Sequence, residues 1–476
     1  MEIEQKPVAH VLIFPFPAQG HVNSMLMLAE LLCFSGLHVT FLNTEHYHQR
    51  LLRFTDAQTR FASFSKFRFE TISDGLPVDH PRSASYAEDL ITGIESVQPV
   101  FRELMISNHL KLDNRPPVTC TIIDGLIAFF MDVSKELCIP SVSFQTASAC
   151  YLWACFCYRN LIETGEHPFA DNDMDNLITG VPGMESFLRR RDLPSFYRIK
   201  ELNDPYLTQT INSTQASATI INTFEDLEGP ILSQMRLHFS KIYTIGPLHA
   251  HLSSRRTNSF APSDSSNSLW EVDRSCMTWL DSQPLKSVVY ISFGSSALMT
   301  HKEMIEIWHG LVNSRKRFLW VIRPDSIEDD DKKCQIPEEL TEGTKDKGYM
   351  VEWCPQEQVL VHPAVGGFVT HSGWNSTLES IIAGLPMVCW PLMGDQQINS
   401  RYVSEVWKIG LDMKDICNRS MVEKMVNDLM HNRRDELARS IDEISQMAKK
   451  SVSEGGTSWC NMEVLIEDIK SMNLKV

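Results

Sequence analysis

The chain has 476 residues, 43% of them hydrophobic and 22% charged, with a formal net charge of −16 at pH 7. That length exceeds what one hydrophobic core ordinarily serves, so two domains are expected. The negative balance argues against nucleic acid or anionic membrane as a partner, because phosphate surfaces demand clustered Lys and Arg, and the run Arg189, Arg190, Arg191 is too short to reverse it.

The opening MEIEQKP is acidic, and the apolar run after it is broken by Pro15 and Pro17, so no signal peptide is expected. HVLIFPF reads as a first strand, PAQGHVNS as a loop, about Met25 to Phe34 as a helix and HVTFLNT as a second strand, which together make one βαβ unit. VTCTII before Asp124 and SVSFQT before Ala147 are further strands. The apolar stretch from Ala147 to Tyr158 falls short of the roughly 20 residues that span a bilayer. Residues 251–267 are rich in Ser, Asn and Pro and read as a linker or mobile loop. A second domain over 268–455 then begins with a helix ending near Leu280, the strand SVVYISF, a loop at Gly294 and Ser295, and the strands RFLWVIR and GYMVEW. Residues 456–476 form a last, amphipathic helix. Strands alternating with helical patterns predict an α/β class with two doubly wound parallel sheets, the first domain covering 1–250.

Twelve cysteines carry no C-x-x-C pair, and Cys150, Cys155 and Cys157 lack the spacing of a zinc site. They read as reduced thiols of a cytoplasmic protein. Asp171, Asn172, Asp173 and Asp175 contain a formal Asp-x-Asp, and Asp329 to Asp331 form a second acidic cluster, but neither follows a buried strand. A hard cation needs carboxylates converging in fixed geometry, so both read as solvated loop charges and no metal is expected.

Function concentrates between Trp353 and Gln396, WCPQEQVLVHPAVGGFVTHSGWNSTLESIIAGLPMVCWPLMGDQQ. TLESIIAG reads as a helix with Gly384 just past its end, beginning near Asn375 and Ser376. A helix start offers unpartnered N–H groups and the positive end of a dipole, a cradle for a diphosphate. His371, Asn375 and Ser376 add donors, Glu379 suits a ribose diol, and Trp353 offers a face for a base to stack on. Singly, these residues read as a core Trp, ordinary N-caps and a solvated Glu; together at this spacing the bland readings fail. In the first domain, His21 and Asp124 both follow strands, at the sheet edge where open α/β folds bind ligands. A His there suits removal of a hydroxyl proton near neutral pH, although a loop His beside Gly20 is, on its own, more often a turn or helix-capping residue.

On Trp353, Gln356, His371, Gly373, Asn375, Ser376, Glu379, Asp395 and Gln396, in this order and spacing, the chain resembles the signature box of plant family 1 UDP-glycosyltransferases. The resemblance implies a GT-B fold, two Rossmann-like domains facing across a cleft, with the last helix crossing back onto the first domain. It implies an inverting, metal-free transfer from UDP-glucose as co-substrate to a small lipophilic acceptor, with no bound cofactor, in a monomer. His21 becomes the base and Asp124 its orienting carboxylate. Thr146, Ser295, Cys354 and Trp374 join the donor site, and Asp395 and Gln396 match the pair that holds the sugar, Gln favouring glucose. Segments VPGM, LRRRDLPSF and GDQQINSRYVSEVWKIGLDMKD are similar to the branch that glucosylates 7-deoxyloganetic acid, so an iridoid acid is the expected acceptor and a phenolic or other terpenoid the alternative. Phe16 and Phe196, with Ala147 to Cys157 and the loop near Leu76, are candidate acceptor walls, and Arg191 a candidate partner for an acidic acceptor. A UDP-sugar epimerase or hydrolase and a non-catalytic binder remain rivals. An NAD oxidoreductase is weaker, since no G-x-G-x-x-G follows the first strand.

Overall fold

His10–Phe14 (β1) is buried at every position, the pattern of a strand with helices on both faces rather than one side to water. With His38–Thr44 (β2), Phe67–Ile72 (β3), Cys120–Asp124 (β4), Ser141–Gln145 (β5), Ala218–Ile221 (β6) and Ile242–Thr244 (β7) it forms a seven-stranded parallel sheet in the order β3-β2-β1-β4-β5-β6-β7. The second half contributes Val288–Ser292 (β8), Met299–Thr300 (β9), Arg317–Val321 (β10), Ile327–Glu328 (β11), Gly348–Val351 (β12), Val365–Thr370 (β13), Met387–Cys389 (β14) and Gly410–Asp412 (β15). Its six-stranded parallel sheet runs β12-β10-β8-β13-β14-β15, while β9 and β11 pair separately. The computed structural model describes residues 8–82, 87–109, 115–169, 173–198, 204–256, 268–328, 338–345 and 347–472.

Each sheet reverses its order once, between β1 and β4 and between β8 and β13. Beyond the carboxyl ends of the strands at such a reversal the crossovers diverge and leave a crevice. One apolar cluster lies along the first sheet, with Val11, Leu26, Phe41 and Phe144, and takes in Met462, Leu465, Ile466 and Ile469 of the Thr457–Met472 helix. That helix also packs along β7, where Asp468 accepts from Lys241 and Tyr243 and Asn461 Nδ2 donates to the Thr244 carbonyl at 3.1 Å. A second cluster runs through both halves, joining Trp153, Leu232 and Met235 to Tyr290, Phe368 and Leu378. Each such side chain contributes about 1.5–3 kcal/mol by leaving water, so the halves share a core.

Two local expectations are corrected. PAQGHVNS is not a loop: the helix spans Gln19–Phe34, with Ala18 extended at its N-cap, so His21 stands in its first turn. Helix starts as soon as the chain is clear of Pro17, and Gly20 is tolerated so near an end. Residues 251–256 are not linker either, because the Leu248–Arg256 helix runs through them with His251 and Leu252 buried. Arg255 pairs with Glu463 and Arg256 Nη2 with Glu30 Oε2 at 2.7 Å, so Ser and Arg positions that look solvated are tied down by distant acids. Residues 257–267 and the cluster Asp329 to Asp331 lie outside the described residues.

Candidate active site

The site is built where the two sheet reversals face one another. Asp124 ends β4 and is 1% exposed. Its Oδ1 accepts the Leu126 backbone N–H at 3.0 Å, capping the Gly125–Ile127 turn, and its Oδ2 lies 2.8 Å from His21 Nδ1. A carboxylate only accepts, so this contact places the proton of neutral His21 on Nδ1 and leaves Nε2 as the basic atom. Thr146, just beyond β5, sets its Oγ1 3.0 Å from the same Nδ1 and 3.5 Å from Nε2. Phe16 meets the imidazole edge-on at 5.3 Å and touches Tyr206 at 6.0 Å. Phe16 belongs to an apolar cluster that Leu76, Leu126 and Tyr206 flank.

Opposite stands the Trp374–Ala383 helix, which ends at Gly384 in the left-handed region. Its N-cap is Gly373, which has no side chain to satisfy the first N–H groups. The helix start is therefore open to an anion. His371 stands beside it. Burial first, then the charge of Arg323, push its pKa down to about 4, against a hydrogen bond to the Ser292 carbonyl. At neutral pH it is an uncharged donor, so positive potential comes from the helix end and from Arg323. Arg323 is buried beside Asp325 at 3.0 Å and donates to the carbonyls of Gly294 and Ala297, which shapes the loop carrying Ser295. Gly294 adopts a φ of +73°, and a Cβ there would fall 2.5 Å from the His371 ring.

Gln356 links several of the residues expected at the donor. Its Nε2 donates to Ser376 Oγ at 3.0 Å and Glu379 Oε2 at 2.7 Å, while its Oε1 accepts from the Tyr290 hydroxyl at 3.0 Å. Burial, then the nearby charge of Glu357, lift the Glu379 pKa to about 8, opposed by Gln356. Trp353 lies 6.0 Å from Trp270, tilted by 32°. Cys354 is buried with its Sγ 3.4 Å from the Tyr290 hydroxyl, a packing role. Asn375 is engaged across the cleft. Its Nδ2 donates to the Gly20 carbonyl at 3.0 Å and its Oδ1 accepts from Ser24 Oγ at 3.0 Å, so it ties the start of the Trp374–Ala383 helix to the helix of His21. Trp374 does likewise, its Nε1 donating to the Asn222 carbonyl at 2.7 Å.

Residues 269–442 match the family model described as UDP-glucoronosyl and UDP-glucosyl transferase, and residues 6–250 that of the glycosyltransferase N-terminal domain. The chain is 54% identical to 7-deoxyloganetic acid glucosyltransferase of Catharanthus roseus, over 97% of this chain and 98% of that one. It belongs to the plant family 1 UDP-glycosyltransferases. This glycosyltransferase is also 44% identical to a myricetin 3-O-rhamnoside 1,2-glucosyltransferase of Crocosmia x crocosmiiflora, over 99% and 98% of the two chains. Its fold is GT-B. UGT71G1 of Medicago truncatula, solved with UDP-glucose, superposes with a TM-score of 0.79 at 27% identity, covering 97% of this chain and 98% of that one.

In this glycosyltransferase Asp395 and Gln396, expected at the sugar, stand at the start of the Gln396–Arg401 helix. Gln396 Oε1 accepts the Leu392 and Met393 N–H groups at 2.9 and 3.0 Å, which orients its Nε2 as a free donor. Burial lifts the Asp395 pKa to about 6, against a hydrogen bond from Asn399 and the charge of His21. Asn399 Nδ2 joins the Asp395 carboxylate at 2.7 Å to the Ser372 carbonyl at 2.9 Å, coupling Asp395 to the loop that precedes the Trp374–Ala383 helix. Sequence reading missed Asn399, Tyr290, Asn222, Tyr206 and Arg323. Only Asn399 carried a local signal, one helical turn beyond Asp395.

The acceptor expectations fare less well. Arg191 is not available to an acid: its guanidinium is shared by Asp175 at 2.8 Å and Asp415 at 2.5 Å. Arg189 and Arg190 likewise hold Asp192 and Asp173, so the basic run and part of the formal Asp-x-Asp cluster neutralise one another. Asp171 and Asn172 of that cluster lie outside the described residues. Phe196 stacks on Tyr197 at 5.0 Å, in a different apolar cluster from Phe16. The Ala149–Phe156 helix is mainly core, with Trp153, Ala154 and Cys155 buried. Among the described residues no group of three or more His, Cys, Asp or Glu is placed to hold a metal, and no helix is long and apolar enough to cross a membrane.

Proposed function

We propose that the chain is an inverting O-glucosyltransferase that moves glucose from UDP-glucose to a hydroxyl of a small lipophilic plant metabolite, with an iridoid acid of the 7-deoxyloganetic type as the preferred acceptor. The observation that carries the mechanism is the buried Asp124 carboxylate bonded to His21 Nδ1, opposite an uncapped helix start. The acceptor hydroxyl binds against the Phe16 wall with its proton directed at His21 Nε2. As the oxygen attacks C1 of the sugar, that proton passes to Nε2 and Asp124 stabilises the imidazolium that forms. The C1–O bond to the diphosphate breaks with its electron pair going to the β-phosphate oxygen. The orphan N–H groups at Trp374, Asn375 and Ser376 and the Ser295 loop receive that charge. Attack from the face opposite UDP turns an α-linked donor into a β-glucoside.

The Trp353 ring holds the uracil, Glu379 the ribose, and Asp395 with the Gln396 amide the sugar hydroxyls. This reading invokes no metal and places a monomer in the cytoplasm, in keeping with free thiols at every described cysteine. The acceptor class rests on the 54% identical relative. The 44% identical relative, by its name, glucosylates a flavonoid glycoside, which keeps phenolics as the second reading. Competition for UDP-glucose between an iridoid acid and a set of flavonols and terpenols decides between them. A kcat/KM highest for the iridoid acid supports the first reading, and one highest for a flavonol replaces it with the second.

A further inference from the structure

The basic run that the mechanism leaves unused ends at Asp192, a carboxylate with no exposure. Its Oδ1 accepts from Arg189 Nη2 at 2.9 Å and from Lys414 Nζ at 2.5 Å. Its Oδ2 accepts the Arg189 backbone N–H at 2.9 Å and lies 3.4 Å from Arg401 Nε. Lys414 and Arg401 belong to the second domain, so one buried acid of the acceptor domain meets two cations across the cleft. Both cations reach the helix that carries the sugar contacts. Lys414 Nζ donates to the Gln397 carbonyl at 3.2 Å, one residue past Gln396, and Arg401 is that helix's last residue, its Nε also donating to the Phe187 carbonyl at 2.9 Å. The other charges at this junction are Asp412, 3.4 Å from Lys414, Glu405, 3.1 Å from Arg401, and the pair of Arg191 with Asp175 and Asp415.

We propose that Asp192 is a positioning residue for donor-sugar recognition: through Lys414 and Arg401 it fixes both ends of the Gln396–Arg401 helix against the acceptor domain and so sets where Asp395 and Gln396 meet the sugar. The proposal rests on the reading of those two residues as sugar contacts. Removing the carboxylate leaves three cations, Arg189, Lys414 and Arg401, without the buried acid they share, in a poorly solvated junction where that loss is costly and the helix shifts to relieve it. The diphosphate helix is held independently, by Asn375 on Gly20 and Ser24 and by Trp374 on Asn222. Sugar and nucleotide recognition therefore separate in Asp192 variants.

The test compares Asp192→Asn, Lys414→Met, the double variant and a Gln396→Ala control in the full chain, by kcat/KM for UDP-glucose, preference for UDP-glucose over UDP-galactose, and Ki for UDP. A displacement of about 1 Å at a reacting centre costs on the order of a hundredfold, so each single variant should lose about ten- to a hundredfold in kcat/KM and narrow the glucose preference, with Ki for UDP within about twofold. The double variant should lose no more than the worse single one, as a shared contact requires. An unchanged glucose preference, a Ki for UDP that worsens in parallel, or strictly additive losses would overturn the proposal. If Asp192→Asn does not fold, Lys414→Met and its Lys414→Arg rescue carry the same test. Should Gln396→Ala leave the preference intact, the sugar-contact reading itself fails; should it alter the preference while Asp192→Asn and Lys414→Met do not, only the role of Asp192 fails.

Discussion

Asp124→Asn isolates the orienting carboxylate without disturbing its scaffold. The Asn carbonyl oxygen can still accept the Leu126 N–H that Asp124 Oδ1 accepts at 3.0 Å, so the turn stays capped. The other terminal atom, 2.8 Å from His21 Nδ1 in the native chain, becomes an NH2 donor. Facing a donor, Nδ1 must accept, so the ring proton moves to Nε2, where it blocks the acceptor's proton. The opposite amide flip would set NH2 against the Leu126 N–H and is disfavoured. A hydrogen bond to a charged group contributes about 1.5–3 kcal/mol, which at 1.36 kcal/mol per decade is roughly ten- to 150-fold in rate. The tautomer change adds to this, up to the roughly 10²–10⁴-fold that a positioned base supplies. Asp124→Asn should therefore lower kcat by about 10²–10⁴-fold and leave UDP affinity within about twofold, read by steady-state glucoside formation and by calorimetric titration with UDP. A variant turning over within a few-fold of the native enzyme, or losing UDP affinity in step with kcat, would refute the assignment.

Trp353→Ala removes the proposed uracil platform and should weaken UDP by about 1–3 kcal/mol, measured by titration, with little effect on kcat at saturating donor. Gly294→Ala places a Cβ 2.5 Å from the His371 ring at a left-handed backbone position, so kcat/KM for UDP-glucose should fall while circular dichroism stays native. The folded-state pKa of Glu379 is raised, from 4.5 to about 8, so protonation favours the folded, unliganded protein and its melting temperature should drop as pH rises from about 4.5 to 8. Asp395, raised from 3.8 to about 6, adds to the drop over the lower part of that window. If the ribose requires an ionised Glu379, UDP binding at pH 7 should release protons, seen as a dependence of calorimetric heat on buffer ionisation enthalpy, and Glu379→Gln should abolish that dependence.

Strands were readable because buried parallel strands are continuous apolar runs, as at HVLIF and VVYIS, and the box was readable because its groups lie within one stretch of chain. The helical setting of His21 was obscured by Gly20 and two prolines, whose local preferences yield to a helix packed against β1 and β2. The Leu248–Arg256 helix was obscured by Ser and Arg residues whose partners, Glu30 and Glu463, lie more than two hundred positions away. Arg191, offered as a partner for an acidic acceptor, instead pairs with Asp415 over two hundred positions away, so that turn is a junction between domains. Asn375 reads locally as a phosphate donor, and only the docking of the two halves shows its amide on Gly20 and Ser24. Side chains that join domains follow no helical or strand period, so pattern alone does not find them.

The most direct test incubates the purified chain with UDP-glucose and 7-deoxyloganetic acid, in native and His21→Ala forms, and follows UDP release together with the yield and anomeric configuration of the product. The account predicts one equivalent of β-glucoside per UDP released, and loss of both in the variant. UDP release without glucoside, an α-linked product, or undiminished turnover by His21→Ala would contradict it.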